Sequence, residues 1–487
     1  MVSRFQVGLV AFQEAAAGHK AILDGAALLL SLFCCARAYA LQGRPAVAAR
    51  WLGLLAGVLG LAMGFDDFLH AWDERYHAVV AKHLAQHWLL PTLFEDEVVP
   101  QAIDWAGGRI WVHKPPLALY LMAVSRRVLG PAELSLRLPS IALHCAAVLA
   151  TARLGALFFS ARAGLWAAFL VAVNGQLLDL AAGRQPTDHP ESIFASLVCL
   201  SMLLAALHAR DGRREHAVLA GALAGLAVLT KFLPSLVVFP CWAVWMRWDD
   251  RPRKRALDLA LAVFVCAALS LPWTLFVRAA FPREAAVEAH HALLHLLQPL
   301  DGHAGSAFFH LGRIPRFFGE ASPVALLAFF WMRRRLGSAG AGVALWFALP
   351  YLFFSLLPTK MENYPMLAAP AICLMIGAMI EQLVAQDLPV RSPRPAALLL
   401  LGLLVGLPAR FLVERWKPFH RFESERAVSA RLRALSGQLG PGKLAMFREP
   451  HPIEAMYYAN AVAYPQSPTP DDEARARALG YRVVTLP

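Results

Sequence analysis

The chain has 487 residues, 58% of them hydrophobic and 16% charged, and a net charge of +12. Soluble domains carry about a quarter charged residues and under half apolar ones, so this composition excludes a disordered protein, a disulfide scaffold and a soluble enzyme. It fits a membrane chain of about ten spans of ~20 residues plus loops, and the basic excess is first to be sought in cytoplasmic loops rather than in a nucleic-acid surface.

Apolar segments run at about 21–42, 50–67, 137–156, 163–180, 190–208, 216–230, 233–246, 256–276, 321–332, 341–357, 364–385 and 395–413, which predicts about twelve transmembrane helices. The first carries Asp24 and lies too far along the chain to read as a signal peptide. Residues 115–130, with Arg126 and Arg127, read as an amphipathic helix lying in the interface. From residue 414 the composition turns polar, with helix-like stretches at Glu423 to Leu435 and Asp471 to Leu479 and strand candidates at Lys443 to Phe447 and Tyr481 to Leu486. The predicted architecture is an all-α polytopic membrane protein with a small C-terminal α/β appendage. An extra N-terminal span occupies 1–49, a transmembrane core 50–413 and the appendage 414–487. All seven cysteines lie inside apolar runs without a CxxC partner, as buried small apolar residues would.

Orientation follows from the short loops. If the loop after the first span is cytoplasmic, alternation gathers Arg37, Arg44, Arg50, Arg153, Arg162, Arg210, Arg213, Arg214, Arg247, Arg251, Arg253, Lys254, Arg255, Arg333, Arg334, Arg335, Arg391 and Arg394 on that side. Six acids accompany them (Asp211, Glu215, Asp249, Asp250, Glu381 and Asp387), and the surplus of twelve equals the net charge of the whole chain. That is the positive-inside pattern. It places 68–136, the histidine-rich 277–320 and the tail outside.

The outer face carries the chemistry. Phe65-Asp66-Asp67 closes an apolar run, and Trp72-Asp73-Glu74-Arg75-Tyr76-His77 follows. Carboxylates at a membrane boundary are costly to desolvate and mark candidate sites, though an ordinary solvated loop start also tolerates them. Lys114, in Trp111-Val112-His113-Lys114-Pro115-Pro116, has the character of a phosphate ligand or of a snorkelling anchor. Asp188, in Thr187-Asp188-His189-Pro190-Glu191, is a second acid on the same face, and Thr187 or Asp188 is also placed to cap the helix starting near Pro190. Lys231 and Lys360 end two further apolar segments, the latter followed by Tyr364.

An acidic pair after an early span, Lys-Pro-Pro about forty residues on and Thr-Asp after two further spans together resemble glycosyltransferase family 39. That family includes the protein O-mannosyltransferases and the aminoarabinose lipid A transferases, with the GT-C fold. Phe354 to Lys360 through Pro365, and Gly225 to Lys231, look like the aminoarabinose branch. The resemblance spans roughly 50–385. It implies transfer of a sugar, with inversion, from a polyprenyl-phosphate donor to an extracytoplasmic lipid, glycan or protein, at the cell (inner) membrane.

Asp73 then matches the catalytic aspartate, Glu74 its neighbour and Asp188 the second acid. Lys114 matches the lysine that meets the donor phosphate, with Arg75, Lys231, Lys360 and Tyr364 as further donor contacts. Asp73 would take the proton of an acceptor hydroxyl, or orient an acceptor phosphate. No cofactor is required; a divalent metal is a tentative addition, with His113, His290 and His291 as its ligands. His113 replaces the branch's usual Glu before Lys-Pro-Pro. Tyr76 and His77 replace an Arg and a Tyr. The readings set against this one are another lipid-linked transferase of the envelope and a secondary transporter. A transporter needs ionisable groups near the midplane and two broken-helix halves; here the ionisable groups sit at span ends.

Overall fold

In a computed structural model of the chain, residues 4–104, 106–248, 251–332, 336–385, 394–440 and 442–486 are described. The predicted loop charges at Asp249, Asp250, Arg333, Arg334, Arg335, Asp387 and Arg391 lie outside the described residues.

The chain opens with α1 (Arg4–Gly18), α2 (Lys20–Ala40) and α3 (Pro45–Gly64), the last started by its own proline. An outer segment carries α4 (Asp73–Leu84) and α5 (Leu117–Leu129). Then come α6 (Glu133–Phe158), α7 (Ala161–Ala172), α8 (Gly175–Ala181), α9 (Asp188–Asp211) and α10 (Arg214–Lys231). Ser160 and Asn174 cap α7 and α8 by accepting from Ala163 N and Leu177 N, and Gly212 ends α9 at φ +65°. A 3-10 turn (Leu233–Val237) leads into α11 (Val238–Trp245), followed by α12 (Pro252–Ala280), α13 (Pro282–Leu297), α14 (Phe309–Phe318), α15 (Ser322–Met332) and α16 (Gly337–Leu356). A second 3-10 turn (Tyr364–Ala368) enters α17 (Ala369–Ala385), and α18 (Arg394–Trp416) completes the apolar part.

Eight helical segments among the described residues are long and apolar enough to cross a membrane: α2, α3, α6, α9, α12, α16, α17 with its 3-10 turn, and α18. The bent pair α7–α8, broken by 55°, makes a ninth if it counts as one span. Of the predicted twelve, length and composition alone therefore support eight or nine among the described residues. The expected 233–246 and 321–332 segments form a 3-10 turn with α11 and the eleven-residue α15, apolar but shorter than the ~20 residues of a typical span. The expected 216–230 segment forms the eighteen-residue α10, with Arg214, Glu215 and Lys231 at its ends.

Small residues bring the helices together. α6 packs on α7, α7 on α17, and α9, α10 and α12 stack in succession. A Cβ at Gly155 of α6 would overlap Gly164 of α7, and one at Gly377 of α17 would lie 2.7 Å from Ala163 O. Helices in lipid associate through such close backbone approach, since no hydrophobic drive separates lipid from leucine. Gly155→Leu is expected to force α6 and α7 apart at a cost of about 1–3 kcal/mol, read as a lower melting temperature of the detergent-solubilised protein; an unchanged melting temperature would show that the contact is dispensable.

The N-terminal segment is tied into the core. Gln13 Nε2 donates to Asp66 O and its Oε1 accepts from Leu134 N. Asp24, buried in α2, accepts from Trp416 Nε1 and Phe419 N at the far end of the chain. Lys20 lies 3.5 Å from Asp24 and 3.7 Å from Asp66.

Beyond α18 come α19 (Glu423–Leu439), β1 (Leu444–Phe447), α20 (Pro452–Tyr458), β2 (Ala461–Ala463), α21 (Pro470–Ala478) and β3 (Arg482–Thr485). The strands form a parallel sheet in the order β2-β1-β3, with Leu444 opposite Ala461 and Arg482. Thr469 and Asp472 close a capping box on α21. The apolar residues here share one cluster with the outer segment: Val79, Leu84, Trp111 and Met122 pack with Leu432, Phe447 and Tyr464. Arg426 holds Asp67 at 2.9 Å, and Arg433 reaches Glu133 at 2.5 Å. The tail thus braces the segment that carries α4.

Candidate active site

Three helix ends meet at the predicted site. Asp73 opens α4 directly after Trp72, which holds φ +71°. Asp188 opens α9 after Thr187 (φ +71°), and is itself at φ +21°. Lys231 ends α10, and Phe232 turns the chain at φ +62°. Of the ten described non-glycine residues with positive φ, four flank these three charged groups. Each such residue costs of order 1–3 kcal/mol, and this strain concentrates where function fixes the backbone. The side chain of Thr187 does not cap α9, contrary to the sequence expectation; its backbone is used instead, because Thr187 N donates to Asp73 Oδ2 at 2.8 Å. One hydrogen bond therefore joins the start of α4 to the start of α9.

Burial alone would raise the Asp73 carboxyl. The nearby Lys114 cation, then His77 and the Thr187 hydrogen bond, outweigh it and hold the group below the usual carboxylate range. Among the described residues no carboxylate pairs with the Lys114 ammonium within salt-bridge distance. Lys231 pairs with Glu191 of α9, and its ammonium also stands 4.5 Å from the centre of the Tyr364 ring. The Asp73 charge acts on both Lys231 and Tyr364. Asp73, Lys114, Lys231 and Tyr364 thus share one electrostatic neighbourhood, built from four separate parts of the chain.

The other expected residues are placed elsewhere. Glu74 is fully buried behind Asp73, bound by Arg137 Nε at 2.7 Å and Nη2 at 3.0 Å, with His70 N and His189 beside it. Burial would raise its carboxyl, and the Arg137 charge takes it far below its ordinary range instead. With both oxygens occupied, Glu74 is a fixed internal ion pair. Arg75 turns to Glu454 of α20 at 3.0 Å. Lys360 is 4% exposed, and its ammonium donates to Phe354 O at 3.1 Å and Ser355 O at 2.6 Å, so it closes the end of α16 and is not open to a donor phosphate. Asp66 is likewise engaged, by Arg184 at 2.6 Å.

Asp188 is completely buried, its two oxygens 2.9 and 3.2 Å from His77 Nδ1. His77 belongs to α4, one turn beyond Asp73, and its ring meets Trp111 edge-on at 5.5 Å. The spacing of Asp73 and His77 at i and i+4 is a signal that sequence reasoning could have used. Arg137 and Glu191 carried no such signal, being separated by long stretches from the residues they hold.

Of the expected metal ligands, His113 and His291 stand with ring centres 6.1 Å apart, and His290 does not join them. His113 Nδ1 pairs with Glu288 Oε2 at 3.1 Å, and His290 is exposed. His291 instead stands against His295, with the two Nε2 atoms 3.2 Å apart, and Asp301 completes a group whose ligand atoms lie within 4.8 Å of one another. Two imidazoles and a carboxylate are a donor set that suits a divalent ion such as zinc.

Set against known proteins, the fold has counterparts. Residues 113–276 match the family described as dolichyl-phosphate-mannose-protein mannosyltransferase. The crystal structure of ArnT from Cupriavidus metallidurans bound to undecaprenyl phosphate superposes with a TM-score of 0.62 at 16% identity, covering 88% of this chain and 86% of that one. The chain has the GT-C fold of that structure. A second GT-C structure, the archaeal oligosaccharyltransferase AglB from Archaeoglobus fulgidus with a dolichol-phosphate, superposes at 0.54 with 13% identity, over 89% of this chain and 69% of that one. In sequence, an undecaprenyl phosphate-alpha-4-amino-4-deoxy-L-arabinose arabinosyl transferase of Pseudomonas aeruginosa (strain LESB58) is 28% identical over 351 residues, 66% of this chain. The match spans 60% of that relative's length. The transferase 2 of the same description from Pseudomonas fluorescens (strain Pf0-1) is 27% identical over 429 residues, covering 82% of this chain and 72% of its own. The GT-C fold and the long apolar helices make this a multi-pass membrane protein.

Proposed function

We propose that the protein is a membrane glycosyltransferase that moves a sugar from a polyprenyl-phosphate donor to an acceptor on the outer face of the cell membrane, with inversion. The observation that carries this reading is Asp73, fixed by Thr187 N and set beside Lys114 with Lys231 and Tyr364. The similarity to undecaprenyl-phosphate arabinosyl transferases supports the donor class.

In this reading Lys114 and Lys231 hold the donor phosphate. Lys231 shares its charge with Glu191, so Lys114 is the principal cation for the negative charge that develops as the phosphate leaves. Asp73 aligns the acceptor oxygen behind the anomeric carbon and offsets positive charge developing on the sugar. The acceptor oxygen bonds to that carbon as the bond from carbon to phosphate oxygen breaks, and polyprenyl phosphate departs with the electron pair. One displacement inverts the centre. The depressed Asp73 carboxyl suits alignment better than holding a proton. The chemistry uses no resident metal; a divalent ion, where taken up, belongs to His291, His295 and Asp301 beside His113.

The basic residues of the loops read as cytoplasmic support an orientation with the α4 and α9 starts on the opposite side. A transporter reading finds less support, since the charged groups gather at helix ends rather than in paired midplane breaks.

Lys114→Ala is expected to raise the KM for donor about 10- to 100-fold, the worth of one charge-assisted contact of about 1.5–3 kcal/mol. Lys360→Met, which removes a helix-end cap, is expected to leave donor KM within about twofold, because its ammonium is engaged by carbonyls. Steady-state kinetics with a polyprenyl-phosphate sugar compares them; a larger KM effect at Lys360 than at Lys114 would reverse the placement of the phosphate.

A further inference from the structure

Resting on the transferase reading above, we propose that His77 is a catalytic residue: its Nε2 receives the proton of the acceptor, and the acceptor is therefore an alcohol rather than a phosphate. His77 is 1% exposed and Asp188 is fully buried. Nδ1 faces both oxygens of Asp188 at 2.9 and 3.2 Å. A carboxylate at that distance accepts a hydrogen bond from Nδ1–H, which leaves Nε2 as the ring's lone-pair nitrogen. Nε2 is buried and makes no hydrogen bond. A buried polar atom without a partner costs about 1–3 kcal/mol, and such an atom beside a reaction centre calls for a ligand.

The surroundings fit that role. His77 lies one helical turn from Asp73 on the same face of α4. Asp188 on α9 and Asp73 on α4 are the acids facing it, Trp111 covers one side of the ring, and Lys114 and His113 act on Asp73 from beyond. Both nearby carboxylates are engaged, Asp73 by Thr187 N and Asp188 by His77 itself. Of the three groups, the imidazole is the one with a fully buried acceptor atom left without a partner.

The step balances. The acceptor O–H proton passes to His77 Nε2, the acceptor oxygen bonds to the anomeric carbon, and polyprenyl phosphate leaves as the anion. The resulting imidazolium is stabilised by Asp188, the arrangement by which an aspartate orients and supports a histidine base in hydrolases. An ionised phosphate acceptor would have no proton to give, and the dyad would have no task.

The test uses the full-length protein with a polyprenyl-phosphate sugar that the wild type turns over and a hydroxyl acceptor. His77→Gln and His77→Asn are expected to lower kcat about 10²- to 10⁴-fold with little change in donor KM. The acidic limb of the rate profile, where protonation of the imidazole removes the base, should vanish in both. His77→Ala should regain activity on addition of imidazole. Asp188→Asn should lower kcat by freeing the ring. Melting temperatures identify a variant that fails to fold, and the wild-type acidic limb then stands as the deciding measurement. A kcat within threefold of wild type in a folded His77→Gln, or a wild-type rate independent of pH on the acid side, overturns the assignment of His77. Turnover of a phosphate monoester acceptor in preference to alcohols, undiminished by His77→Gln, overturns the alcohol. Failure of the wild type to consume any polyprenyl-phosphate sugar sinks the transferase reading instead, so the two failures are distinct.

Discussion

Asp73→Asn is expected to lower sugar transfer about a hundred- to a thousandfold while the protein stays folded, the effect seen when one preorganised polar group at a reaction centre is removed. The substitution is nearly isosteric. Its remaining carbonyl oxygen can still accept from Thr187 N, so the junction between α4 and α9 persists. What is lost is the negative charge beside Lys114, which aligns the nucleophile and offsets charge on the sugar. The loss should appear in kcat rather than in donor KM, since the donor phosphate is held by the lysines. Rates and melting temperatures measured on the same preparation separate chemistry from folding. A folded Asp73→Asn with wild-type turnover would remove Asp73 from the mechanism.

The neighbouring acid should behave in the opposite way. Glu74→Ala leaves the Arg137 guanidinium buried without its carboxylate, and breaking such a pair costs about 3–5 kcal/mol. Arg137 also donates to Gly64 O, Asp66 O and Phe68 O, so the pair fastens α3 and the outer segment to α6. Low expression and a markedly lower melting temperature are expected, with proportionate rather than catalytic loss of activity. The Glu74 carboxyl is depressed in the folded protein. Its contribution is therefore fully present above the unfolded carboxylate value of about 4.3 and is lost as pH falls below it toward the folded value. Melting temperatures from pH 7 to pH 3 should fall in the wild type, and fall less steeply in Glu74→Ala. A variant as stable as wild type would show that this ion pair holds nothing together.

These adjacent residues show what the sequence made legible. Composition and the run of apolar segments were enough for a helical membrane protein, because burial in lipid leaves a signal in bulk. The acids, Lys-Pro-Pro and Thr-Asp pointed to one group of residues, of which the structure brings Asp73 and Thr187 together. Sequence could not divide their labour. Residues i and i+1 on a helix point about 100° apart, so one of Asp73 and Glu74 had to face the site and the other the interior, and only Arg137, 63 residues away, decides which. The setting of Lys360 was hidden for the same reason: the carbonyls that accept from its ammonium belong to the helix end before it and leave no trace in residue types. Hydropathy marks the short segments 233–246 and 321–332 as apolar, and length alone does not make them spans. His77 could have been found. It differs from the resembled pattern, one turn from the matched aspartate, and only the distance to Asp188 gives that difference a role.

The central claim is consumption of a polyprenyl-phosphate sugar at Asp73. It is tested most directly by incubating the purified protein, in lipid with envelope acceptors, with a small panel of polyprenyl-phosphate sugars and weighing the released lipid by mass spectrometry. The account predicts free polyprenyl phosphate from at least one donor with wild type and none above background with Asp73→Asn. Release at equal rates by both proteins, or from no donor in the panel by the wild type, would contradict it.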